Sequence, residues 1–270
     1  MGNIIISNDF ITVSESDITV QSTATGFSKA DVFNLEKVNR RYRMDSADKS
    51  DSIAVMSFDL GSAQSVSAIV LDNVNFDKVV IRGHDSDLTG ESDGWDAASF
   101  TSGEISISND DQTNRRKVFI PLESFNYRFP AIIVPESANA VGTYTSKWEI
   151  GRVGILDSYY TFVQNMSWGY QRGAVKKFKE TAVGSGFERQ SVGPMQWIGT
   201  LSFDGLRRIS TAEIDLTTLN NYDNSDTMLF YENDGDASKV YFCLRDSDYM
   251  GTYSLVDGVV GSSIRLKERI

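Results

Sequence analysis

The densest run of hard oxygen ligands in the chain is Asp85-Ser86-Asp87-Leu88-Thr89-Gly90-Glu91-Ser92-Asp93-Gly94-Trp95-Asp96. Counted from Asp85, oxygen-bearing side chains fall at the first, third, fifth, ninth and twelfth places (Asp85, Asp87, Thr89, Asp93, Asp96), with glycine at the sixth. That is the spacing of an EF-hand calcium loop, in which carboxylates and one glycine-permitted turn wrap a hard cation. Two substitutions depart from it: Thr89 replaces a carboxylate or amide, and Asp96 stands where a longer, bidentate Glu normally closes the shell. The flanks depart further, because Lys78–Arg82 has strand character and no helical pattern follows. An acidic, solvated loop between two strands is therefore the competing expectation, and calcium is the single cofactor considered. Asn233-Asp234-Gly235-Asp236 has fewer ligands and reads as an Asp-Gly turn between two strands.

Other chemistry is limited by counts. One histidine, His84, and one cysteine, Cys243, exclude a histidine-rich or all-cysteine zinc site and a disulfide framework. His84 lies at a loop entrance with no nucleophile motif beside it. Gly184-Ser185-Gly186 lacks the spacing of a nucleophile elbow, and Cys243 sits in Val240-Tyr241-Phe242-Cys243-Leu244, where a small buried hydrophobe is expected. No pair of carboxylates is set apart by spacing as a glycosidase acid and base. The expectation is that the chain is not an enzyme.

These residues must be held by strands. Period-2 runs occur at Asn3–Ser7, Ile18–Gln21, Ile53–Leu60, Ser65–Leu71, Lys78–Arg82, Lys117–Leu122, Arg128–Val134 and Trp148–Leu156, separated by Gly, Asn, Asp and Ser clusters. In Ser52–Leu60, Ala54, Met56, Phe58 and Leu60 form the more apolar alternating set and are expected to face inward. From Asp157 a second β-rich section is expected, with strands at Glu188–Val192, Met195–Phe203, Met228–Tyr231, Lys239–Arg245 and Ser262–Arg269. Ser210-Thr211-Ala212-Glu213 fits a capping box opening one short helix, with Ala212, Leu216 and Leu219 on one face. The division falls at residues 1–156 and 157–270. The fold expected is mainly β: a jelly-roll-like sandwich followed by a second β-rich domain with one short helix.

The 270 residues carry 37 acidic and 26 basic side chains, a formal charge of -11. Residues 1–156 hold 22 acidic and 14 basic groups, so most of the excess lies there. Such a balance disfavours direct binding of nucleic acid through its phosphates. No apolar run approaches the length of a membrane span, and MGNIIISNDF lacks the basic start and long apolar centre of a secretory signal.

Phe58-Asp59-Leu60-Gly61-Ser62-Ala63-Gln64-Ser65-Val66-Ser67-Ala68-Ile69-Val70-Leu71, followed by Val79-Val80-Ile81-Arg82-Gly83, resembles the core of a discoidin-like, galactose-binding-like β-sandwich. Tyr42-Arg43 stands where that family commonly has Trp-Arg-Ser, and Trp148-Glu149-Ile150-Gly151-Arg152-Val153 is similar to its closing strand. With the second section, containing Asn165-Met166-Ser167-Trp168-Gly169-Tyr170, Arg189-Gln190-Ser191-Val192-Gly193 and Leu201-Ser202-Phe203-Asp204-Gly205-Leu206, the whole resembles virion structural proteins of tailed bacteriophages, of the tail-tip or baseplate type. The resemblance implies a protein made in bacterial cytoplasm and resident in the virion, with copies of itself and other tail proteins as partners.

Two binding surfaces are expected from these readings. A host-surface glycan would use Tyr42, Arg43, Trp95 and Tyr144, because sugars bind against exposed aromatic faces with polar groups beside them; Trp95 anchoring its own loop is the competing reading. Arg172, Lys176, Lys177 and Lys179 would meet an acidic neighbouring subunit, while alternation on a solvated strand face produces the same spacing.

Overall fold

The computed structural model describes residues 3–35, 40–45, 53–89, 94–141, 146–162, 171–183, 186–207, 225–245, 252–253 and 259–269; for 176–194, 202–207, 252–253 and 259–263 it describes backbone alone. The chain is mainly β. The main strands are β1 (Ile5–Ser7), β2 (Ala54–Phe58), β3 (Ala68–Asp72), β4 (Lys78–His84), β5 (Arg116–Pro121), β6 (Phe129–Ile133), β7 (Arg152–Leu156), β8 (Tyr160–Thr161), β9 (Gln171–Val183), β10 (Gly186–Arg207), β11 (Met228–Tyr231), β12 (Val240–Arg245) and β13 (Val259–Glu268). Helical structure among the described residues consists of short 3-10 turns at Glu15–Asp17, Lys29–Phe33 and Gly94–Ala97, and no helix is long and apolar enough to cross a membrane. The capping-box helix expected from Ser210 lies outside the described residues.

The strands form three principal antiparallel sheets. An outer sheet is built on β2-β6-β4, a middle sheet on β5-β3-β7, and a third runs β8-β1-β11-β12-β13-β10-β9. Alternation on β3 shows how they stack. Ile69 and Leu71 point into one core with Met56, Phe58, Ile81 and Ile132 of the outer sheet. Ala68 and Val70 point the other way, into a second core with Ile5, Leu229, Tyr231 and Phe242 of the third sheet. A strand covered on both faces reads as a continuous apolar run, and Ala68-Ile69-Val70-Leu71 does. The far face of the third sheet carries a third cluster in which Trp197 stacks on Tyr241 at 4.3 Å between ring centroids.

One sequence expectation changes here. Met56 and Phe58 face the main core, but Ala54 lies on the opposite face with Val80, Ala131 and Ile133. The cause is a register shift: Ile132 opposes Met56 and Ile133 opposes Ala54, so one residue of β2 is unmatched and the alternation inverts. β1 pairs with β8 on one side and β11 on the other, placing the N-terminal strand in the sheet of the second section.

The middle and third sheets approach closely at Gly154 of β7, where an added Cβ would lie 3.0 Å from Phe242 Cε1 and 3.2 Å from Phe10 Cε1. Phe242 is 1% exposed and fills that gap. Phe242→Ala should therefore destabilise the protein by about 3–5 kcal/mol, and Gly154→Val should destabilise through overpacking at the same seam. Urea unfolding curves check both, and a Gly154→Val protein as stable as the parent would show that the sheets are not in fixed contact.

Candidate functional site

Residues 85–89 and 94–96 fold back over the outer face of β2-β6-β4. Leu88 and Trp95 pack there against Ala54, Val80, Ala131 and Ile133, and Trp95 is fully buried. Its indole Nε1 donates to Thr89 Oγ1 at 3.3 Å. Asp87 Oδ1 accepts from the Thr89 amide at 3.0 Å and from Ser57 Oγ at 3.3 Å, tying the turn to β2. Asp85 Oδ1 accepts from the Arg128 amide at 3.4 Å, and Asp96 pairs with Arg82 at 3.6 Å. Each described carboxylate thus has a different protein partner, and among the described residues no three His, Cys, Asp or Glu side chains gather as a metal site. Asp93 lies outside the described residues. His84 Nδ1 is 3.0 Å from Ser99 Oγ, a local contact at the loop entrance.

Of the residues expected to hold a glycan, Trp95, Tyr42 and Arg43 are described. Trp95 is in the sheet cover just described. Tyr42 is fully buried, its hydroxyl donating to the Ser22 carbonyl, and burial followed by the nearby Asp45 charge pushes its pKa well up. Neither ring offers an open face to a sugar. Arg43 lies over the Phe27 ring at 4.1 Å and pairs with Glu149, which also takes Arg41 at 2.8 Å. Tyr144 lies outside the described residues. A separate cavity of about 480 Å³ is lined by Ser7, Asn8, Asp9, Ser158, Tyr159 and Tyr160, with Ser158 Oγ donating to Asp9 Oδ2 at 2.7 Å.

The basic stretch lies on β9, which pairs with β10 from Gln171↔Thr200 to Val183↔Gly186. β13 covers the other side of β10 from Ile198 onward. Among the described residues, β9 is therefore the terminal strand of the sheet, and Lys177–Val183 with Gly186–Val192 is a two-stranded extension. Arg172 is committed within the chain, to Glu232 at 2.9 Å and Asp111 at 3.1 Å. These two pairs fasten the base of β9 to the rest of the chain. Lys176, Lys177 and Lys179 lie on the described backbone of the same strand, beyond that anchor.

What holds the base of this hairpin is a buried ionic cluster that the sequence patterning missed. Asp72, Asp110 and Glu268 meet Arg115, Lys117 and Arg152, each 8% exposed or less. Arg152 donates to Asp72 at 2.7 Å and to Glu268 Oε1 at 3.2 Å. Glu268 Oε1 also accepts from Arg115 and, at 3.3 Å, from Lys117, whose ammonium is 3.5 Å from Asp110. Glu268 Oε2 accepts the Trp197 amide at 3.0 Å, and Arg115 donates to the Met195 carbonyl at 3.0 Å, so β10 is clamped at the root of the extension. Burial pushes the Asp72 carboxyl up, but the charges of Arg152, Arg115 and Lys117 outweigh it and hold the group far below the ordinary carboxylate range. Asp110 is lowered by the same contest, with Lys117, Thr113 and Tyr241 prevailing over burial. Lys117 goes the other way, burial lowering it against the pull of Glu268. Cys243, buried beside the cluster, has its thiol pushed up by burial and by the Glu268 charge.

No family model matches the chain. No curated protein sequence matches it either. Among solved structures, a family 89 glycoside hydrolase from Clostridium perfringens, in complex with 2-acetamido-1,2-dideoxynojirmycin, is 10% identical over 54% of this chain, with a TM-score of 0.34. This chain spans 15% of that hydrolase. The family 32 CBM from C. perfringens NanJ, in complex with galactose, is 14% identical over 55% of this chain and 97% of its own, with a TM-score of 0.33.

Two outcomes follow from this geometry. Trp95→Ala should destabilise by about 3–5 kcal/mol, whereas EGTA should leave the melting temperature of the parent unchanged; a loss on chelation that calcium restores would reinstate a cation in the Asp85–Asp96 loop. Asp72 and Asp110 are depressed in the fold, so their contribution to stability is complete above the unfolded value of 3.8 and is lost as pH falls through their lower folded values. Asp72→Asn leaves buried cations uncompensated and should cost about 3–5 kcal/mol at neutral pH, with a shallower fall in stability below pH ~4 than the parent shows. Denaturant unfolding across pH reads both, and an Asp72→Asn protein of parental stability at neutral pH would remove the cluster from its structural role.

Proposed function

We propose that the chain is a structural component of a tailed-phage virion, in the tail tip or baseplate, and that its work is assembly through protein–protein interfaces. The phage setting rests on the resemblance of its residues; the assembly reading is carried by the hairpin of β9 and β10. A two-stranded ribbon in water is marginal by itself, and a long terminal strand presents a row of unpaired backbone donors and acceptors. Here such a ribbon grows from a root fixed by Glu268, Arg115 and Arg172, which supports a rigid arm offered to a partner. Copies of this chain and other tail proteins are the partners of that reading, and the virion is its location. No catalytic step is part of it.

Glycan binding for host adhesion is the second reading, favoured by one observation. Phe27 is half-buried beneath the Arg43 guanidinium, with Arg41 and Glu149 alongside, so one place on the first section combines an aromatic ring with charged hydrogen-bonding groups.

Native mass measurement and a glycan array on the purified chain separate the two. Assembly predicts defined oligomers, or incorporation when other tail proteins are added. A persistent monomer with an array signal that Arg43→Ala abolishes would favour adhesion, and turnover of a cell-surface polysaccharide would overturn both.

A further inference from the structure

We infer that the partner of the β9 edge is a second copy of this chain, engaged through the acidic surface of its residues 1–156, and that the contact is heterologous rather than two-fold. The inference rests on the assembly reading above and adds the occupant and its symmetry.

The geometry of β9 is the starting point. Among the described residues it ends its sheet over a length of 13 residues, far longer than the two-residue strand β8 at the opposite end. Its sequence carries Arg172, Lys176, Lys177 and Lys179 against one acid, Glu180. With Arg172 committed to Glu232 and Asp111, the charge beyond the root belongs to the three lysines and Glu180. The register with β10 shifts between Val175 and Lys177, and Val175 is 48% exposed, one of two large hydrophobics so exposed among the described residues. A bulge on an edge strand re-aims the strand and interrupts flat pairing, and an exposed valine beside it offers an apolar contact point within a basic segment.

Symmetry then follows from charge. If β9 paired with its own copy about a two-fold axis, two net-positive strands would lie about 4.8 Å apart. Like charges opposed across a sheet are destabilising, and lysines on an edge are a common means of preventing such pairing. The complementary charge is elsewhere on the same chain. Residues 1–156 hold 22 acidic against 14 basic groups. Asp72 and Asp110 are buried in the balanced cluster, while Glu15, Asp17, Glu123 and Glu136 are exposed. A basic strand of one copy against the acidic section of the next is a heterologous contact, which repeats from copy to copy until rotation closes it or leaves it open.

The test is the sign of a neutralisation. Sedimentation velocity over a range of concentrations would compare the parent with a Lys176→Ser, Lys177→Ser, Lys179→Ser triple variant, after circular dichroism and melting establish that the variant folds. The expected result is self-association weakened by about tenfold in the variant, and weakened by a similar factor in the parent when salt rises from about 50 to 500 mM. Stronger association of the variant would mean that β9 pairs with its own copy, and unchanged association would place the contact elsewhere; either overturns the inference while leaving assembly standing. A parent that stays monomeric alone but joins other virion proteins would assign the edge to a different protein. Lysine-dependent retention on DNA or on phosphatidylserine vesicles without self-association would assign it to another class of partner. A parent that neither self-associates nor joins virion proteins would defeat the assembly reading itself.

Discussion

The structure depends on what one carboxylate does at the end of its last strand. Glu268 is 1% exposed, and an ionised carboxylate at that depth is tolerated only if opposite charge and hydrogen bonds replace water. Arg115, Lys117 and Arg152 supply the charge, and the Trp197 amide occupies its second oxygen. Those four groups come from the loop before β5, from β5, from β7 and from β10. Satisfying one anion therefore fixes the middle sheet, the closing strand β13 and the root of the long hairpin relative to one another. The cations in turn need Asp72 and Asp110, since one carboxylate cannot neutralise three positive groups. Removing any member leaves a buried charge without its counterpart, so the cluster acts as a unit and specifies a single way for the sheets to meet.

Apolar packing alone would leave that arrangement less determined. The cores on the two faces of β3 set which of its residues face which sheet, since a slip by one residue would exchange the two faces. The ionic cluster at the ends of β3, β5 and β7 does not permit a slide along the strands, because each donor has a particular acceptor. Gly154 contributes a second restraint, since it admits Phe242 at a separation that a side chain would forbid. Together they explain how an N-terminal strand inserted between β8 and β11 remains continuous with a sandwich two layers away.

Strand positions were legible in the sequence because alternation and Gly, Asn and Asp punctuation are local properties, and Met228–Tyr231 is an instance where even the bounds agree. The inverted face of Ala54 was not legible, since a bulge arises from pairing between strands far apart in sequence. The placement of β1 in the third sheet is equally non-local. At the candidate sites, the described part of Asp85–Asp96 is organised by contacts that ligand spacing does not announce, since Leu88 and Trp95 pack on the sheet and the Trp95 indole donates to Thr89. Tyr42 was read by analogy of position and turned out to be interior. The buried cluster had a faint signal: Asp72, Lys117, Arg152 and Glu268 are charges inside or ending strongly apolar strand runs, where solvated groups are unexpected. Which of them would meet could not be read from spacing, as they are up to 196 residues apart.

Under the proposed assembly, charge in this chain would have two separate duties. Inside, three cations and three carboxylates cancel, and the result is rigidity. Along the sequence, the remaining charges are segregated, with the acids mostly on residues 1–156 and a basic run on β9. Segregation of that kind serves a terminal strand in two ways. While the chain is free, lysines on the edge oppose pairing with an identical edge, which is the aggregation route open to any long unpaired strand. In the proposed contact, the same lysines would attract an acidic surface and orient the encounter. The rigid root matters to the second duty, because a hairpin already held by Glu268 and Arg115 has less conformational entropy to lose on docking than a free loop would. Internal balance and the proposed docking are thus linked: the buried cluster fixes the root of the hairpin that would carry the lysines to a partner.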